Sequence, residues 1–362
     1  MPLTTPFHSR IQALNEAGLW KHWAGYLVPP QYQYSLTAEY YAIRNSVSLL
    51  DTSPLFKYRI SGPDAERLLR RVLARDIAGC PPGRAQYTCW CDEQGFVLQD
   101  GVVLQVREGV YWLTAAEATL RYFRVVARQI GAEVEIEDVS KSYGILALQG
   151  PRAHEVIRQL TDAATSLKYF GATDAEILGR PVIITRTGYT GDLGYELWIE
   201  SGDACSVWDA LMEAGSGHNI TPIGTTALKM ARVEAGLLLM GTDFHSARFA
   251  WVDAQRETPT ELGWSWMFKG ISQDNRPFIG RTAIEREMRE RNSRWTTVGL
   301  AVDWHDYERV YTEAGVVPPR HEVQAAPLRC RKRNVAVAVR GAATRRGGGT
   351  DDGLGDDEGD VA

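Results

Sequence analysis

The stretch from Ile183 to Trp198 constrains the fold of this chain more than any other segment. A β-branched run over residues 182–187 predicts a strand, and an alternating run over residues 195–199 predicts a second one. Three glycines spaced three residues apart stand between them and favour a tight loop. The loop places Tyr189 and Glu196 near each other, where an aromatic face and a carboxylate could meet one ligand. An ordinary hairpin without a ligand fits the same spacing.

Length and charge narrow the class of protein. The chain has 362 residues, which predicts two or three domains at roughly 150 residues each. Its net charge of −5 gives no reason to expect nucleic acid or an acidic membrane surface as a partner. No apolar run is long enough to cross a bilayer, so we expect a soluble, cytoplasmic protein. The five cysteines form no disulfide framework and no zinc pattern, and we expect reduced thiols and no metal site.

The order of predicted elements favours an α+β fold over a parallel doubly wound sheet. Two strand–Gly-Pro–helix units, at residues 49–73 and 145–160, suggest structurally related halves, although Gly-Pro is also a general turn signal. A short amphipathic helix is predicted within residues 8–25, and further helices are predicted at residues 36–45, 120–130, 203–214 and 225–236.

Asp100 interrupts a strongly apolar run between Leu98 and Val102. A carboxylate in such a run must be solvated, paired or functional. In a cleft it could stabilise a cationic amine or manage a proton. A turn or bulge aspartate beside Gly101 is the alternative.

Four further residues could complete a ligand site. Glu196, if buried, could accept hydrogen bonds from N–H donors of a flat heterocycle, and otherwise it is a solvent-facing strand residue. Tyr87 and Tyr189 could stack on such a ring, or they are core or surface tyrosines. Arg232 could bind a ligand carboxylate, or it could pair with Glu234 or another surface acid.

Several motifs along residues 30–305 resemble, in order, those of the glycine-cleavage T-protein (aminomethyltransferase) family. The R-T-G-Y-T-G-x-x-G-x-E loop resembles the folate-site signature of that family. The other motifs are D-T-S-P-L-F-K-Y-R-I-S-G-P-D-A (51–65), G-R-A-Q-Y-T with G-F-V-L-Q-D-G (83–101), L-A-L-Q-G-P (146–151), L-K-M-A-R-V-E-A-G (228–236), M-G-T-D (240–243), T-P-T-E-L-G-W (258–264) and F-I-G-R (278–281).

This resemblance implies a multidomain cloverleaf around a central folate site and transfer of a one-carbon unit to tetrahydrofolate. In the T-protein reaction an aminomethyl group arrives on a lipoyl carrier and ammonia leaves. Asp100 falls on the catalytic aspartate of the family and Glu196 on its pterin-binding glutamate. Tyr87, Tyr189 and Arg232 fall on folate-site positions. Relatives in the family demethylate small molecules with the same folate acceptor, and others are non-catalytic folate-binding modules, so the one-carbon donor stays open.

Departures from the family pattern lie mainly on the donor side. The chain has Ser53-Pro54-Leu55 where T-proteins have S-H-M, Gln99 where they have a first aspartate, and Thr114 where they have asparagine. The resemblance therefore supports the folate end of the site more strongly than the lipoyl-bound donor.

The carboxy-terminal segment is expected to be abnormal. A basic run at 329–333, a glycine run at 347–349 and an acidic end at 351–360 lack the apolar residues of a core. The resulting domain prediction is a discontinuous folate-binding domain (1–50 and 140–285), a second α+β domain completing the site (51–139), a remnant of a C-terminal β domain (286–320) and a disordered or frame-shifted tail (321–362).

Overall fold

The computed structural model describes residues 2–273, 275–297 and 303–316, and the backbone of residues 329–331. These residues belong to two compact units. Residues 2–297 and 329–331 lie in the first unit, and residues 303–316 lie in the second. Within the described residues, no helix is both long enough and apolar enough to span a membrane.

Helices and strands are mixed along the first unit, which confirms the α+β class. Its helices are α1 (His8–Leu14), α2 (Leu36–Asn45), α3 (Ala65–Val72), α4 (Leu120–Gln129), α5 (Ala153–Ile157), α6 (Ala204–Ala214), α7 (Thr225–Glu234) and α8 (Arg281–Glu290); the second unit contains α9 (Trp304–Glu313). The strands are β1 (Lys21–Trp23), β2 (Tyr26–Val28), β3 (Val47–Asp51), β4 (Phe56–Ser61), β5 (Arg84–Cys91), β6 (Val97–Arg107), β7 (Val110–Ala115), β8 (Glu135–Asp138), β9 (Tyr143–Gln149), β10 (Ala172–Ile177), β11 (Arg180–Thr185), β12 (Gly194–Glu200), β13 (Ile220–Pro222), β14 (Trp295–Thr297) and β15 (Arg329–Arg331).

Two large sheets organise the described part of the first unit. The six-stranded sheet has the order β10-β11-β12-β9-β3-β13, in which β13 runs parallel to β3 and the other neighbours are antiparallel. The five-stranded sheet has the order β5-β6-β7-β4-β8 and is antiparallel throughout. The Ile183–Trp198 stretch is thus the β11–β12 hairpin of the larger sheet.

The short helix predicted within residues 8–25 ends before both tryptophans that it was expected to carry. Helix α1 ends at Leu14, and residues 21–23 form strand β1 instead, paired with β2. Gly18, with a φ of +64°, makes a left-handed turn between the two elements. A left-handed residue cannot continue a right-handed helix, so the tryptophan at 23 belongs to a strand.

Both Gly-Pro turns contain a glycine with positive φ. Strand β4 leads through Gly62 into α3, and β9 leads through Gly150 into α5; both glycines have positive φ, +113° and +128°. A Cβ on Gly150 would lie 2.5 Å from the backbone oxygen of Ser46, so a side chain has no room there. The resemblance of the two units therefore includes a turn that requires glycine.

A shared apolar core joins the two sheets inside the first unit. Its buried members come from both sheets: Ala85, Leu104 and Trp112 from one, and Ile145, Ala172, Ile183 and Trp198 from the other. The Trp112 and Trp198 rings meet edge to face at 5.9 Å. Backbone hydrogen bonds also cross the boundary, with Ala85 N–H donating to the oxygen of Phe170 at 2.8 Å. This contact fixes the position of one sheet relative to the other.

The domain boundaries remain predictions. The described part of residues 286–320 contains the end of α8, strand β14 and helix α9. The expected tail, 321–362, lies outside the described residues except for 329–331, which form β15 and pair antiparallel with β14.

Candidate functional site

Asp100 lies inside strand β6, on the same face of the five-stranded sheet as Tyr87 of β5. In the strand pairing Asp100 stands opposite Cys89, and Tyr87 stands opposite Val102. The Tyr87 hydroxyl donates a hydrogen bond of 2.7 Å to Asp100 Oδ2. The alternative of a turn or bulge aspartate is wrong, because Asp100 is paired within the strand and the register shifts lie elsewhere.

The environment of Asp100 changes its acidity. Burial raises the pKa of this carboxyl group to about 6, and the hydrogen bond from Tyr87 opposes part of the rise because it stabilises the charged form. Burial, followed by the nearby Asp100 charge, raises the pKa of Tyr87 well above its usual value. At neutral pH the pair is therefore a carboxylate that accepts a hydrogen bond from a phenol.

Gly101, next to Asp100, allows β6 to approach strand β7 closely. A Cβ at this position would overlap the backbone oxygen of Thr114 on β7. The Thr114 hydroxyl in turn accepts a 3.1 Å hydrogen bond from the backbone N–H of Val102. Gly101 and Thr114 therefore fix the position of the backbone that carries Asp100.

The β11–β12 loop carries Tyr189 toward the same region. The half-buried Tyr189 donates its hydroxyl hydrogen to the backbone oxygen of Leu238. Burial raises the pKa of Tyr189, and the Asp100 charge adds to the rise. Asp100 and Tyr189 thus interact electrostatically, although Asp100 lies in one sheet and Tyr189 in a loop of the other.

The amide of Gln149, at the end of β9, shapes this loop. Its Nε2 donates to the backbone oxygen of Thr187 at 3.2 Å, and its Oε1 accepts from the Thr190 hydroxyl at 3.0 Å. A Cβ on Gly188 or on Gly194 would overlap the same amide. Two of the three loop glycines are therefore required by a buried side chain that the sequence pattern did not single out.

Glu196 lies on β12 with one carboxylate oxygen held. The Thr187 hydroxyl donates to Glu196 Oε2, and the hydroxyl groups of Thr185 and Thr187 are 2.5 Å apart. Burial raises the pKa of Glu196, and the hydrogen bond from Thr187 lowers it in part. Oε1 accepts no hydrogen bond within the described part of the chain. The half-buried carboxylate therefore has one oxygen oriented by the protein and one available to N–H donors.

Arg232 is engaged in a buried ion pair. Its Nη1 pairs with Asp243, and their side chains are only 3% and 1% exposed. Nη1 also donates to the backbone oxygen of Leu237 at 3.1 Å. The alternative partner Glu234 is wrong, because that carboxylate pairs with Arg44 at 2.6 Å. Arg232 therefore holds the turn whose backbone receives the Tyr189 hydroxyl.

An aromatic wall faces the Tyr87 and Asp100 side of the sheet. The Trp264 ring contacts Tyr87 edge to face at 5.7 Å and contacts Phe244 in the same manner at 5.3 Å. Trp264 ends the family motif at 258–264, and Phe244 directly follows the one at 240–243; the family pattern predicts no role for either ring. Neither ring has a local sequence signal, because each contact joins segments far apart in the chain.

Among the described residues, no group of three or more His, Cys, Asp or Glu side chains is arranged to hold a metal ion. The arrangement offers instead a carboxylate of raised pKa, a second carboxylate with an available oxygen and several aromatic faces. These groups suit recognition of a flat, nitrogen-rich molecule and stabilisation of positive charge on an amine.

Comparison with known proteins gives consistent results. The family model described as the GCVT N-terminal domain matches residues 7–269. An aminomethyltransferase of Saccharopolyspora erythraea is 35% identical over 245 residues, which cover 67% of this chain and 66% of that protein. A trimethylamine-oxide aldolase of Ruegeria pomeroyi is 33% identical over 277 residues, which cover 73% of this chain and 33% of that protein.

A solved structure shares the fold. The aminomethyltransferase T of the glycine cleavage system from Bartonella henselae superposes with a TM-score of 0.71 at 23% identity, covering 83% of this chain and 78% of that one. The expected T-protein fold is thereby confirmed. With the family model covering most of the chain, this protein belongs to the glycine-cleavage T-protein family of enzymes.

Proposed function

We propose that this protein transfers a one-carbon unit to tetrahydrofolate, with Asp100 as the catalytic residue and Tyr87, Tyr189 and Glu196 as folate-binding residues. The observation that carries the proposal is the 2.7 Å hydrogen bond between Tyr87 and the partly desolvated Asp100. This hydrogen bond orients a carboxylate beside aromatic side chains. The chain also belongs to a family that includes aminomethyltransferases.

The described residues fit a folate. Glu196 has one oxygen fixed by Thr187 and one that accepts no hydrogen bond from the described chain, which suits the N–H groups of a pterin ring. Tyr189 and the aromatic wall provide apolar surfaces for a flat ring. Arg232 would support this site indirectly, because its guanidinium already pairs with Asp243.

Tetrahydrofolate supplies the nucleophilic amine that accepts the one-carbon unit. Asp100 is ionised above about pH 6 and would orient that amine and stabilise the positive charge that develops on it. Tyr87 holds the carboxylate in place by its hydrogen bond. Catalysis would then depend on placement and electrostatics, without a covalent bond to the protein.

Two classes of donor are candidates. An aminomethyl group as donor is favoured by the similarity to an aminomethyltransferase, and the family resemblance implies a lipoyl carrier protein for it. A methylated small molecule is favoured by the departures from the family pattern at Pro54, Leu55 and Thr114. Gln99, a further departure, bonds through its amide to the backbone of Glu117 at 2.9 Å and 3.2 Å, on the face of β6 opposite Asp100, and does not bear on the donor.

The decisive experiment is a donor screen with the full chain. Tetrahydrofolate is incubated with an aminomethylated lipoyl carrier protein, or with N-, O- and S-methyl compounds, and the folate product is followed by mass spectrometry. We expect methylene- or methyl-tetrahydrofolate from one donor class and little product with Asp100→Asn. Folate binding without product from any donor would instead support a non-catalytic folate-binding module. Absence of folate binding would contradict both.

A further inference from the structure

A cavity of about 190 Å³ opens beside the start of β6 and the beginning of α4. None of the five candidate site residues lines it. Its apolar surface comes from Trp90 and Leu98 of the sheet region and from Tyr122 and Val125 of α4. The Trp90 ring is fixed in the core by an edge-to-face contact with Phe123 at 5.6 Å. The cavity therefore has a firm apolar wall.

Three charged side chains also line this cavity: Glu117, Arg121 and Arg248. None of them forms an ion pair or a side-chain hydrogen bond within the described part of the chain. Glu117 is half-buried, whereas both arginines are exposed. Burial raises the pKa of Glu117, and the charges of Arg248 and then His245 lower it in part. One inner carboxylate and two outer guanidinium groups thus share one cavity.

The position of Glu117 is fixed by its backbone. Gln99 Nε2 donates to the Glu117 oxygen at 2.9 Å, and the Glu117 N–H donates to Gln99 Oε1 at 3.2 Å. Gln99 and Asp100 are consecutive on β6, and consecutive strand residues point to opposite faces. The amide that anchors the cavity thus lies on the other side of the strand from the Asp100 site.

We propose that this cavity is a second binding site, separate from the folate site, for a compact zwitterionic amino acid with an apolar side chain. Glu117 would bind the ammonium group, and Arg121 and Arg248 would bind the carboxylate. The side chain would pack on Trp90 and Tyr122. A ligand with only a carboxylate leaves Glu117 unpaired, and a ligand with only an ammonium group leaves the arginines unpaired, which gives the site its selectivity.

Three probes of matched shape test the chemical class. L-valine carries both charges, isovalerate lacks the ammonium group, and isobutylamine lacks the carboxylate. Binding to the full chain is measured by calorimetry and by saturation-transfer NMR, without folate. We expect L-valine to bind at least about tenfold more tightly than either single-charge probe. Equal binding of the three, or no L-valine binding up to about 10 mM, would overturn the proposal.

Substitutions of cavity residues test whether L-valine binds in this cavity. Glu117→Gln keeps the backbone anchored by Gln99, and Arg121→Gln changes an exposed side chain, so both should fold; circular dichroism checks this. We expect each to weaken L-valine binding about tenfold. The affinity for L-valine should be unchanged in the Asp100→Asn variant and in the presence of saturating tetrahydrofolate. Unaltered affinity in both cavity variants, or displacement of L-valine by tetrahydrofolate, would refute a separate site. Because the readout needs no turnover, its failure is distinct from failure of the transferase proposal.

Discussion

Asp100 is the residue on which the proposed chemistry depends most directly. Asp100→Asn keeps the size and the Tyr87 contact but removes the charge. We expect turnover to fall roughly 10²-fold or more, since a preorganised charge acts on the transition state, while folate affinity changes little. Product formation and calorimetric folate binding measure the two effects. Asp162→Asn, at an exposed position, is the control; full activity of Asp100→Asn would remove Asp100 from the mechanism.

The acidity of Asp100 predicts a pH profile. Its pKa of about 6 means that the reactive carboxylate is lost as the pH falls through 6, so kcat/KM should rise between pH 5 and 7 and then level off. Tyr87→Phe removes a hydrogen bond that stabilises the charged form, so the pKa should rise and the acidic limb should shift to higher pH. The hydroxyl of Tyr143 contacts Glu200 and not Asp100, so Tyr143→Phe should not shift the acidic limb. An acidic limb at the same pH in Tyr87→Phe would contradict this assignment.

Glu196 should act on binding more than on the chemical step. Removing a carboxylate that accepts a charge-assisted hydrogen bond costs about 1.5–3 kcal/mol. We therefore expect Glu196→Ala to weaken folate binding roughly 10- to 150-fold, with a smaller change in turnover at saturating folate. Calorimetry gives the affinity. Glu200→Ala, on the exposed end of the same strand, is the matched control, and equal folate affinity in the Glu196 variant would disprove the role.

At the level of the strands, Gly101 tests how β6 and β7 hold the site. Gly101→Ala introduces a Cβ that overlaps the backbone oxygen of Thr114, so the strands must separate. We expect a loss of unfolding free energy of about 1–3 kcal/mol, measured by urea denaturation, together with weakened transfer. Gly202→Ala is the control, because its Cβ meets nothing within 4 Å. Wild-type stability of Gly101→Ala would show that the close approach is unimportant.

Within the first unit, the contact between the sheets should affect both stability and function. Asp100 belongs to the five-stranded sheet and Glu196 to the six-stranded sheet, and Trp198 lies in the core between them. Trp198→Ala should lower the free energy of unfolding by about 3–5 kcal/mol and reduce folate binding. Trp251→Ala, at a side chain that is 92% exposed, should change stability by less than about 0.5 kcal/mol. Similar stability of both variants would argue against the shared core.

Local patterns in the chain were sufficient to place several elements of the site. The β-branched run and the alternating run predicted β11 and β12, and helix α2 spans the predicted residues 36–45. Such signals are readable because strand and helix periodicity depends on neighbours a few residues apart. The family motifs added the expected roles of Asp100 and Glu196, which no local pattern could assign.

Long-range contacts account for the features that sequence reasoning did not reach. The Gln149 amide inside the glycine loop and the Trp264 wall depend on segments far apart in the chain that meet when it folds. The Arg232–Asp243 pair spans the turn after α7 and depends on the burial of both side chains. Arg232 shows why. The sequence left its partner undecided, because an arginine on a helix has several possible acidic partners, and burial in the folded chain selects one of them. The amino acids thus specify the strands and the chemical groups, whereas packing between the two sheets brings Asp100 and Tyr189 within electrostatic reach.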